Sequence, residues 1–318
     1  MLTLLLFLCV VSVAAGATTV SIKGTQWYVN GILTYPGTPA EGLLMNVRMV
    51  NNTFEDEKRT DFDSDENTAR FVSKISEYNA YGVRAFTLNL QGGFPGYEGA
   101  INSAFRPDGT LRKSYLSRIK RVIGVCDKYD MIVILGLFYQ RQDQILNDEE
   151  AVKRGVVNAV NWIKENGLTN VVIEIANEYN HGGFDHDIIK TAEGEVELIR
   201  LAKKTAPDLL VSASGLGHGR MNDLIAKEAD FILIHFNGTK VEYIPKRINA
   251  LKKYNKPIVC NEDDKNDQEA ALALKASVEN GCSWGFMYNK LNQYEPFEFH
   301  GYRDDPKVYD IFKEVTGK

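Results

Sequence analysis

The chain has 318 residues, of which 44% are hydrophobic and 25% are charged, a composition that is typical of a globular protein. This length is sufficient for one large domain, or two small ones, with a substantial core. The formal net charge is -5 at pH 7 and no block of five or more Lys and Arg residues occurs. The charge pattern therefore argues against a nucleic-acid partner and is compatible with an uncharged ligand.

The N-terminus has the pattern of a secretory signal. An apolar run from Leu2 to Val13 is followed by small residues, and Ala15-Gly16-Ala17 matches a small-x-small cleavage site. We therefore expect residues 1–17 to be removed and the mature protein, residues 18–318, to be secreted or periplasmic. Because the apolar run is not preceded by Lys or Arg, an uncleaved N-terminus that tethers the protein to a membrane is the alternative. No other stretch has the length and apolarity to span a bilayer, so we expect no stable membrane insertion after signal removal.

Three cysteines remain once Cys9 leaves with the signal, and none has the CxxC spacing of a zinc or redox site. Cys260 and Cys282 fall in neighbouring predicted strands, where a disulfide between them is one possibility. We expect two separate buried thiols instead, and a fold that does not depend on disulfides.

The chain begins with a predicted β-hairpin and continues as a regular alternation of strands and helices. Thr19 to Tyr35 has two strand-like runs around Asn30-Gly31, a dipeptide that favours a tight hairpin turn. The eight strand-like runs that follow are Leu43 to Val50, Val83 to Leu90, Met131 to Phe138, Val171 to Ala176, Leu209 to Ala213, Phe231 to Phe236, Pro257 to Asn261 and Cys282 to Tyr288. Amphipathic segments separate them, and no linker interrupts them. The pattern predicts a single α/β domain, a (β/α)8 TIM barrel with a short N-terminal β-hairpin.

Polar residues stand where the predicted strands end, which is where such barrels carry their chemistry. The apolar run Val171 to Ala176 is followed directly by Asn177 and Glu178, and the seventh strand is followed by Glu262. Strands four and seven face each other across a barrel, so the two carboxylates can approach from opposite sides. Carboxylates about 5 Å apart suit double displacement at an anomeric carbon, whereas a wider separation suits inversion.

The joint placement of these residues resembles glycoside hydrolase clan A, and most closely the family 5 cellulase-type enzymes, in which an Asn-Glu pair ends strand four and a Glu ends strand seven. The resemblance covers essentially the whole mature chain. It implies a retaining hydrolase of β-linked oligo- or polysaccharides that needs no cofactor. It further implies that Glu178 is the general acid/base, that Glu262 is the nucleophile, and that Asn177 hydrogen-bonds the 2-hydroxyl of the sugar being cleaved.

The same resemblance suggests three further residues of the site. It implies that Arg84 on strand two supports the nucleophile, that His235 is the strand-six His, and that Trp284 is the aromatic residue beneath the sugar. Three positions depart from the family pattern: Tyr179 replaces the usual Pro, Tyr139 to Asp143 lacks the usual His, and Asn237 replaces an aromatic residue. These departures predict substrate subsites that differ from those of the family.

Several other residues are candidates on chemical grounds. The loops Asn51 to Glu66 and Gln91 to Lys113 are long and follow strands, so we expect them to shape a binding cleft. Flat faces for sugar rings are offered by Tyr288 on strand eight and by the loop residues Phe94, Tyr97, Tyr139 and Tyr179; of these we select Tyr139 and Tyr288 as substrate-binding.

The proposed roles make electrostatic demands. We expect the pKa of Glu178 to be raised by burial and by the neighbouring nucleophile, since a general acid must hold a proton. Glu262 must stay ionised, which requires a cation, with Arg84 as the first candidate and Arg48 as the second. Glu174 is a possible buried partner for either arginine.

Two other classes of function stay open at this point. The first is a metal-dependent, sugar-active barrel enzyme with Glu178, His235, Glu262 and Asp263 or Asp264 as ligands. The second is a non-catalytic barrel in which the carboxylates accept hydrogen bonds from sugar hydroxyls.

Two N-x-Thr sequons begin at Asn51 and Asn237. A glycan on Asn237 would crowd the predicted cleft, so we expect that residue to be unmodified.

Overall fold

The structure is a computed structural model that describes residues 17–93, 97 and 99–318. The expected signal segment up to residue 16 lies outside the described residues, as does the candidate aromatic Phe94. Within the described part, no helix is both long enough and apolar enough to cross a membrane.

Strands and helices alternate along the described chain. The strands are β1 (Val20–Lys23), β2 (Gln26–Val29), β3 (Ile32–Leu33), β4 (Asn46–Arg48), β5 (Ala85–Asn89), β6 (Ile132–Phe138), β7 (Val171–Ala176), β8 (Val211–Ser212), β9 (Ile232–His235), β10 (Ile258–Glu262), β11 (Cys282–Ser283) and β12 (Gly285–Phe286). The α-helices are α1 (Ser64–Val72), α2 (Ile75–Ala80), α3 (Lys113–Asp127), α4 (Glu149–Glu165), α5 (Asp187–Lys190), α6 (Ala192–Thr205), α7 (Asp223–Glu228), α8 (Ile244–Leu251), α9 (Asp267–Glu279) and α10 (Pro306–Thr316).

The strands from β4 onward form a ring of parallel strands. Six of them pair in the order β12-β4-β5-β6-β7-β8, and three more pair in the order β11-β10-β9. Isolated parallel bridges join the two sheets on both sides, between Ser214 and Leu233 and between Asp263 and Phe286. The predicted TIM barrel is confirmed, with its eighth strand divided into β11 and β12.

The strands are buried along their whole length because helices cover the outside of the ring. β7 is buried at every residue, as its continuous β-branched and apolar sequence predicts. α4 illustrates the covering layer: its N-cap Asp148 accepts a hydrogen bond from the Ala151 amide, and Val152, Val156 and Val160 recur every four residues on its buried face. The apolar face of each such helix packs against the strands and fixes their ends.

The N-terminal sheet lies against the end of the barrel at which the parallel strands begin. The turn at Asn30-Gly31 has the positive φ angles that the sequence predicts, 53° and 75°, and joins β2 to β3. A third antiparallel strand, β1, extends this hairpin. Trp27 of β2 is fully buried and meets Phe231, with ring centroids 5.2 Å apart, so the sheet plugs the barrel floor.

Cys126, Cys260 and Cys282 are buried free thiols. Cys260 and Cys282 lie on adjacent strands of the barrel but form no disulfide, as the sequence led us to expect.

Candidate active site

The backbone at the end of β7 is held in an uncommon conformation. Glu178 has a φ of 53°, in the left-handed region that non-glycine residues rarely adopt. The hydroxyl of Ser214, just beyond β8, accepts a hydrogen bond from the Glu178 amide at 3.0 Å, and the Ser214 carbonyl accepts one from the Tyr179 amide at 2.9 Å. Ser214, two residues beyond β8, therefore supplies the contacts that hold this backbone, whose strain costs about 1–3 kcal/mol.

Glu262 is the last residue of β10 and lies at an irregularity in the barrel. In the parallel pairing with β9, Cys260 is opposite Ile234, but Glu262 is opposite His235, so β10 has one extra residue there, Asn261. Such bulges turn a side chain away from its regular direction and are frequent beside active sites.

The two candidate catalytic carboxylates meet at the barrel mouth with His235 between them. One oxygen of Glu178, one oxygen of Glu262 and one ring nitrogen of His235 all lie within 4.8 Å of one another. His235 Nδ1 is 3.3 Å from Glu178 Oε1 and 3.8 Å from Glu262 Oε2. This separation is close to the 5–5.5 Å of retaining glycosidases and well below the ~6.5–9.5 Å of inverting ones.

Both oxygens of Glu262 have protein contacts. Arg48, the last residue of β4, places its Nε 2.9 Å from Glu262 Oε2, and both side chains are buried. The side-chain amide of Asn237 donates a hydrogen bond to Glu262 Oε1. The carboxylate thus has a cation on one oxygen and a neutral donor on the other.

The prediction that Arg84 supports the nucleophile is wrong. Arg84 precedes β5 and therefore lies at the opposite end of the barrel, where its guanidinium donates to the Asp130 carbonyl at 3.3 Å and lies 5.6 Å from the centre of the Tyr35 ring. Arg84 is five residues from Asn89 at the end of β5, or about 16 Å of extended strand. The second candidate, Arg48, makes the contact instead.

Trp284 is not a platform beneath the sugar. Its side chain is 0% exposed and packs outward against the helix layer, with ring centroids 5.8 Å from Phe286 and 5.7 Å from Phe312 of α10. Its indole N–H donates to Asp263 at 2.9 Å. Side chains alternate between the two faces of a strand, and Trp284 falls on the outer face.

Three other predicted substrate-binding residues follow the C-terminal ends of barrel strands. Asn177 is buried and donates to Gln140 at 3.3 Å, while its Oδ1 has no hydrogen-bond partner among the described residues. Tyr139 directly follows β6, and its ring centre lies 5.9 Å from the Arg48 guanidinium. Tyr288 is half-buried two residues beyond β12, with its ring 5.8 Å from that of Phe286.

A cleft of about 630 Å³ lies between the two long loops and the residues that follow β6 and β7, and neither Glu178 nor Glu262 is among its described lining residues. Its described lining residues are Phe54, Gly92, Gly93, Tyr97, Gly99, Ala100, Asn102, Tyr139, Gln140, Arg141, Gln142 and His181. Apart from Ala100, the side chains in this set are aromatic, amide or basic, which suits a ligand rich in hydroxyl groups.

The electrostatics of the carboxylate cluster differ from the expectation for Glu178. Burial alone raises the pKa of Glu178, but the hydrogen bond and positive charge of His235 outweigh it, so the pKa lies below its usual value. Burial lowers the pKa of His235, but Glu262 and Glu178 more than offset this effect and the pKa is raised. The expected rise in the Glu178 pKa is wrong because the His235 imidazole, which lies between the two carboxylates, outweighs burial.

Glu174 is a third buried carboxyl group, one layer below the catalytic pair. It accepts hydrogen bonds from the Ser214 hydroxyl and, at 3.1 Å, from the Asn261 amide, and burial raises its pKa. These polar contacts, together with His235 at 3.9 Å, take the place of the predicted arginine partner.

The donor set fits acid/base chemistry better than metal binding. Glu178, His235 and Glu262 are close enough to surround one ion. However, the Arg48 guanidinium already lies 2.9 Å from Glu262, and a second cation there would be repelled. Asp263, a further ligand in the metal hypothesis, binds Lys265 at 2.8 Å and Trp284 at 2.9 Å.

Two residues of the site were not identified as such from the sequence. Asn237 was noted only as a sequon and as a departure from a family pattern, although it contacts Glu262. Ser214 was missed altogether. Both follow a barrel strand by two residues, so a systematic survey of polar residues just past strand ends would have found them.

No family model matches the chain, and no curated protein matches it in sequence. Solved structures of similar fold do match. A broad-specificity endoglucanase of glycoside hydrolase family 5 from Clostridium longisporum aligns with a TM-score of 0.62 and 11% identity, over 89% of this chain and 99% of that one. An endo-1,4-β-mannanase from Eisenia fetida aligns with a TM-score of 0.61 and 10% identity, over 95% and 96%. A family 5 mannosidase from Rhizomucor miehei aligns with a TM-score of 0.58 and 14% identity, over 95% and 97%. The chain therefore has the fold of the family 5 glycoside hydrolases.

Proposed function

We propose that the protein is a retaining glycosidase that hydrolyses β-linked oligo- or polysaccharides, with Glu262 as nucleophile and Glu178 as general acid/base. The observation that carries this proposal is the approach of the two carboxylates to within 4.8 Å at the mouth of a family 5-like barrel. At that distance one carboxylate attacks the anomeric carbon while the other reaches the glycosidic oxygen, and no space is left for a water between them.

In the first step, Glu262 forms a bond to the anomeric carbon as the glycosidic bond breaks, and the leaving oxygen receives a proton from Glu178. In the second step, Glu178 takes a proton from a water molecule that attacks the same carbon and releases Glu262. Arg48 and Asn237 each contact one oxygen of the nucleophile and orient it throughout.

The proton that Glu178 donates is shared with His235 in this proposal. With the cleft open, the charge of His235 keeps the pKa of Glu178 low. When a sugar displaces water from the cleft, the charged pair loses solvation and the proton moves across the 3.3 Å gap to the carboxylate.

The enzymes of similar fold are endoglucanases, a mannanase and a mannosidase. β-Linked glucans and mannans are therefore the first substrates to test. In this proposal the protein acts outside the cell, in a secreted or periplasmic form, and the signal-like N-terminus supports that location.

The test is intact-mass spectrometry after incubation with activated 2-fluoro-glycosides of the gluco and manno series. We expect a stable adduct that maps to Glu262 in the wild type, none in Glu262→Gln, and unchanged labelling in Glu165→Gln, which alters an exposed glutamate at the end of α4. Glu178→Ala should lose most activity on substrates with poor leaving groups, which need a proton to depart. With an activated aryl glycoside, azide should restore turnover of this variant and give a β-glycosyl azide, because azide attacks the glycosyl-enzyme without a general base.

Four outcomes would contradict the proposal. An adduct on another residue would refute the role of Glu262, and a first-formed product of inverted configuration would refute the double displacement. Turnover that a chelator abolishes would support the metal-dependent alternative. Sugar binding that persists in Glu262→Gln, with no turnover by the wild type on any glycan, would support the non-catalytic one.

A further inference from the structure

The loop that follows β9 reaches the nucleophile. Residues 236–239 leave the end of that strand, and Asn237 extends its side chain to donate a hydrogen bond from Nδ2 to Glu262 Oε1. Arg48 contacts the other oxygen at 2.9 Å. The two contacts together fix the rotation of the carboxylate, because each oxygen has a different partner.

This loop is fastened by buried polar contacts on both sides of Asn237. Lys265 donates to the Phe236 carbonyl and to Asp263, both at 2.8 Å, and only 7% of Lys265 is exposed. After Asn237, the Gly238 amide donates to the Gly217 carbonyl at 2.7 Å. The position of the Asn237 side chain is therefore set by its neighbours, and the residue is presented to Glu262 in one place.

The chemistry of Asn237 complements that of Arg48. A carboxamide donates a hydrogen bond to an anion without adding charge, so it orients the carboxylate while Arg48 supplies the cation. Hydrogen bonds to an ionised group contribute about 1.5–3 kcal/mol, or roughly 10- to 100-fold in rate if the contact is fully used in the transition state.

We infer that Asn237 is a positioning residue for the nucleophile, an inference that rests on the proposed function. The same contact explains why Asn237, in the sequon Asn237-Gly238-Thr239, should stay unmodified. The Nδ2 atom that donates to Glu262 is the atom that N-glycosylation modifies, and a glycan there would occupy the space beside the nucleophile. Modification of Asn237 and catalysis are therefore mutually exclusive.

The kinetic test compares Asn237→Ala and Asn237→Asp with the wild type. Asn237→Ala should slow formation of the covalent intermediate by about 10- to 100-fold, with a smaller change in KM. Asn237→Asp should shift the acidic limb of the kcat/KM profile to higher pH, because a second anion beside Glu262 disfavours its charged form. Asn147→Asp adds the same charge at an exposed position and should leave the profile unchanged.

The two hypotheses fail in distinguishable ways. If the 2-fluoro-glycoside does not label Glu262 in the wild type, the proposed function fails. If the wild type is labelled there but both Asn237 variants are labelled at the wild-type rate with an unshifted pH profile, only the positioning role is refuted. A loss of thermal stability with no shift in the profile of Asn237→Asp would indicate a merely structural residue and would also refute it.

Peptide mapping after expression in a eukaryotic secretory host tests whether glycosylation of Asn237 and catalysis are mutually exclusive. The active fraction should have an unmodified Asn237, identified by mass after enzymatic removal of glycans in heavy-oxygen water. A catalytically active fraction with a glycan on Asn237 would overturn the inference.

Discussion

Replacement of Arg48 by methionine should disable the enzyme, whereas the same replacement of Arg84 should not. The Nε of Arg48 lies 2.9 Å from Glu262 Oε2, and the two side chains are only 1% and 7% exposed. For unit charges at that distance, an effective dielectric constant of about 20 gives an attraction of roughly 6 kcal/mol. Removal of one partner from a buried pair typically costs about 3–5 kcal/mol. Expressed as lost stabilisation of an ionised nucleophile, this corresponds to roughly a 10²- to 10⁴-fold decrease in kcat/KM.

The assay is steady-state hydrolysis of activated aryl glycosides by wild type, Arg48→Met and Arg84→Met, with thermal unfolding of each to confirm that it folds. Arg84→Met alters an arginine at the far end of the barrel and should stay within twofold of wild type. Equal losses in the two folded variants, or near-normal activity in Arg48→Met, would refute the assignment of the cation.

Three further predictions concern the aromatic residues and the imidazole. Trp284→Phe should lower stability by about 3 kcal/mol, because it loses a hydrogen bond to Asp263 and buried ring area. In a chain of this length, that loss lowers Tm by roughly 5 °C, while KM is unchanged. Calorimetry and kinetics check this, and a raised KM with normal Tm would restore the platform role. Tyr288→Ala should show the reverse pattern, a raised KM with little change in Tm. The KM should rise about tenfold, because ~1–2 kcal/mol of contact between this half-buried ring and the sugar is lost. An unchanged KM would show that Tyr288 does not bind the substrate. The raised pKa of His235 means that its pairing with the carboxylates stabilises the fold below pH 6.5 and that this contribution is lost as pH rises through the raised value. The Tm difference between wild type and His235→Gln should therefore shrink from pH 6 to pH 9, and a difference that grows over this range would contradict the assigned direction of the shift.

The architecture was accessible from the sequence because burial on both faces leaves a continuous apolar signal. The bounds of β7 in the structure, Val171–Ala176, are those of the predicted run, and the candidate catalytic carboxylates follow from the polar residues at its end and at the end of β10. β8 is shorter than predicted, Val211–Ser212, since strand pairing and not hydrophobicity determines where a short strand ends.

The wrong predictions concern residues whose role depends on which end of a strand they occupy, or on which face of it, and not on residue type alone. Arg84 was chosen by a motif, although its place at the start of a predicted strand already puts it far from the mouth, whereas Arg48 is close to the end of its strand. Trp284 lies on the outer face of strand eight, beside Phe286, and alternation alone cannot say which face is outer. The lowered pKa of Glu178 depends on His235, whose contact with the carboxylate is made only by the folded barrel.

The free thiols make this protein convenient to label. All three described cysteines are fully buried, and burial raises the pKa of each, to about 12 in the case of Cys282. Because the thiolate is the reactive form, these thiols should not react with maleimides in the folded state. In a chain that begins at Ala17, and so lacks Cys9, a single cysteine introduced in place of half-buried Ala100 on the rim of the cleft would carry a fluorophore without background. Occupancy of the cleft by candidate glycans could then be followed directly, including in variants that no longer turn them over.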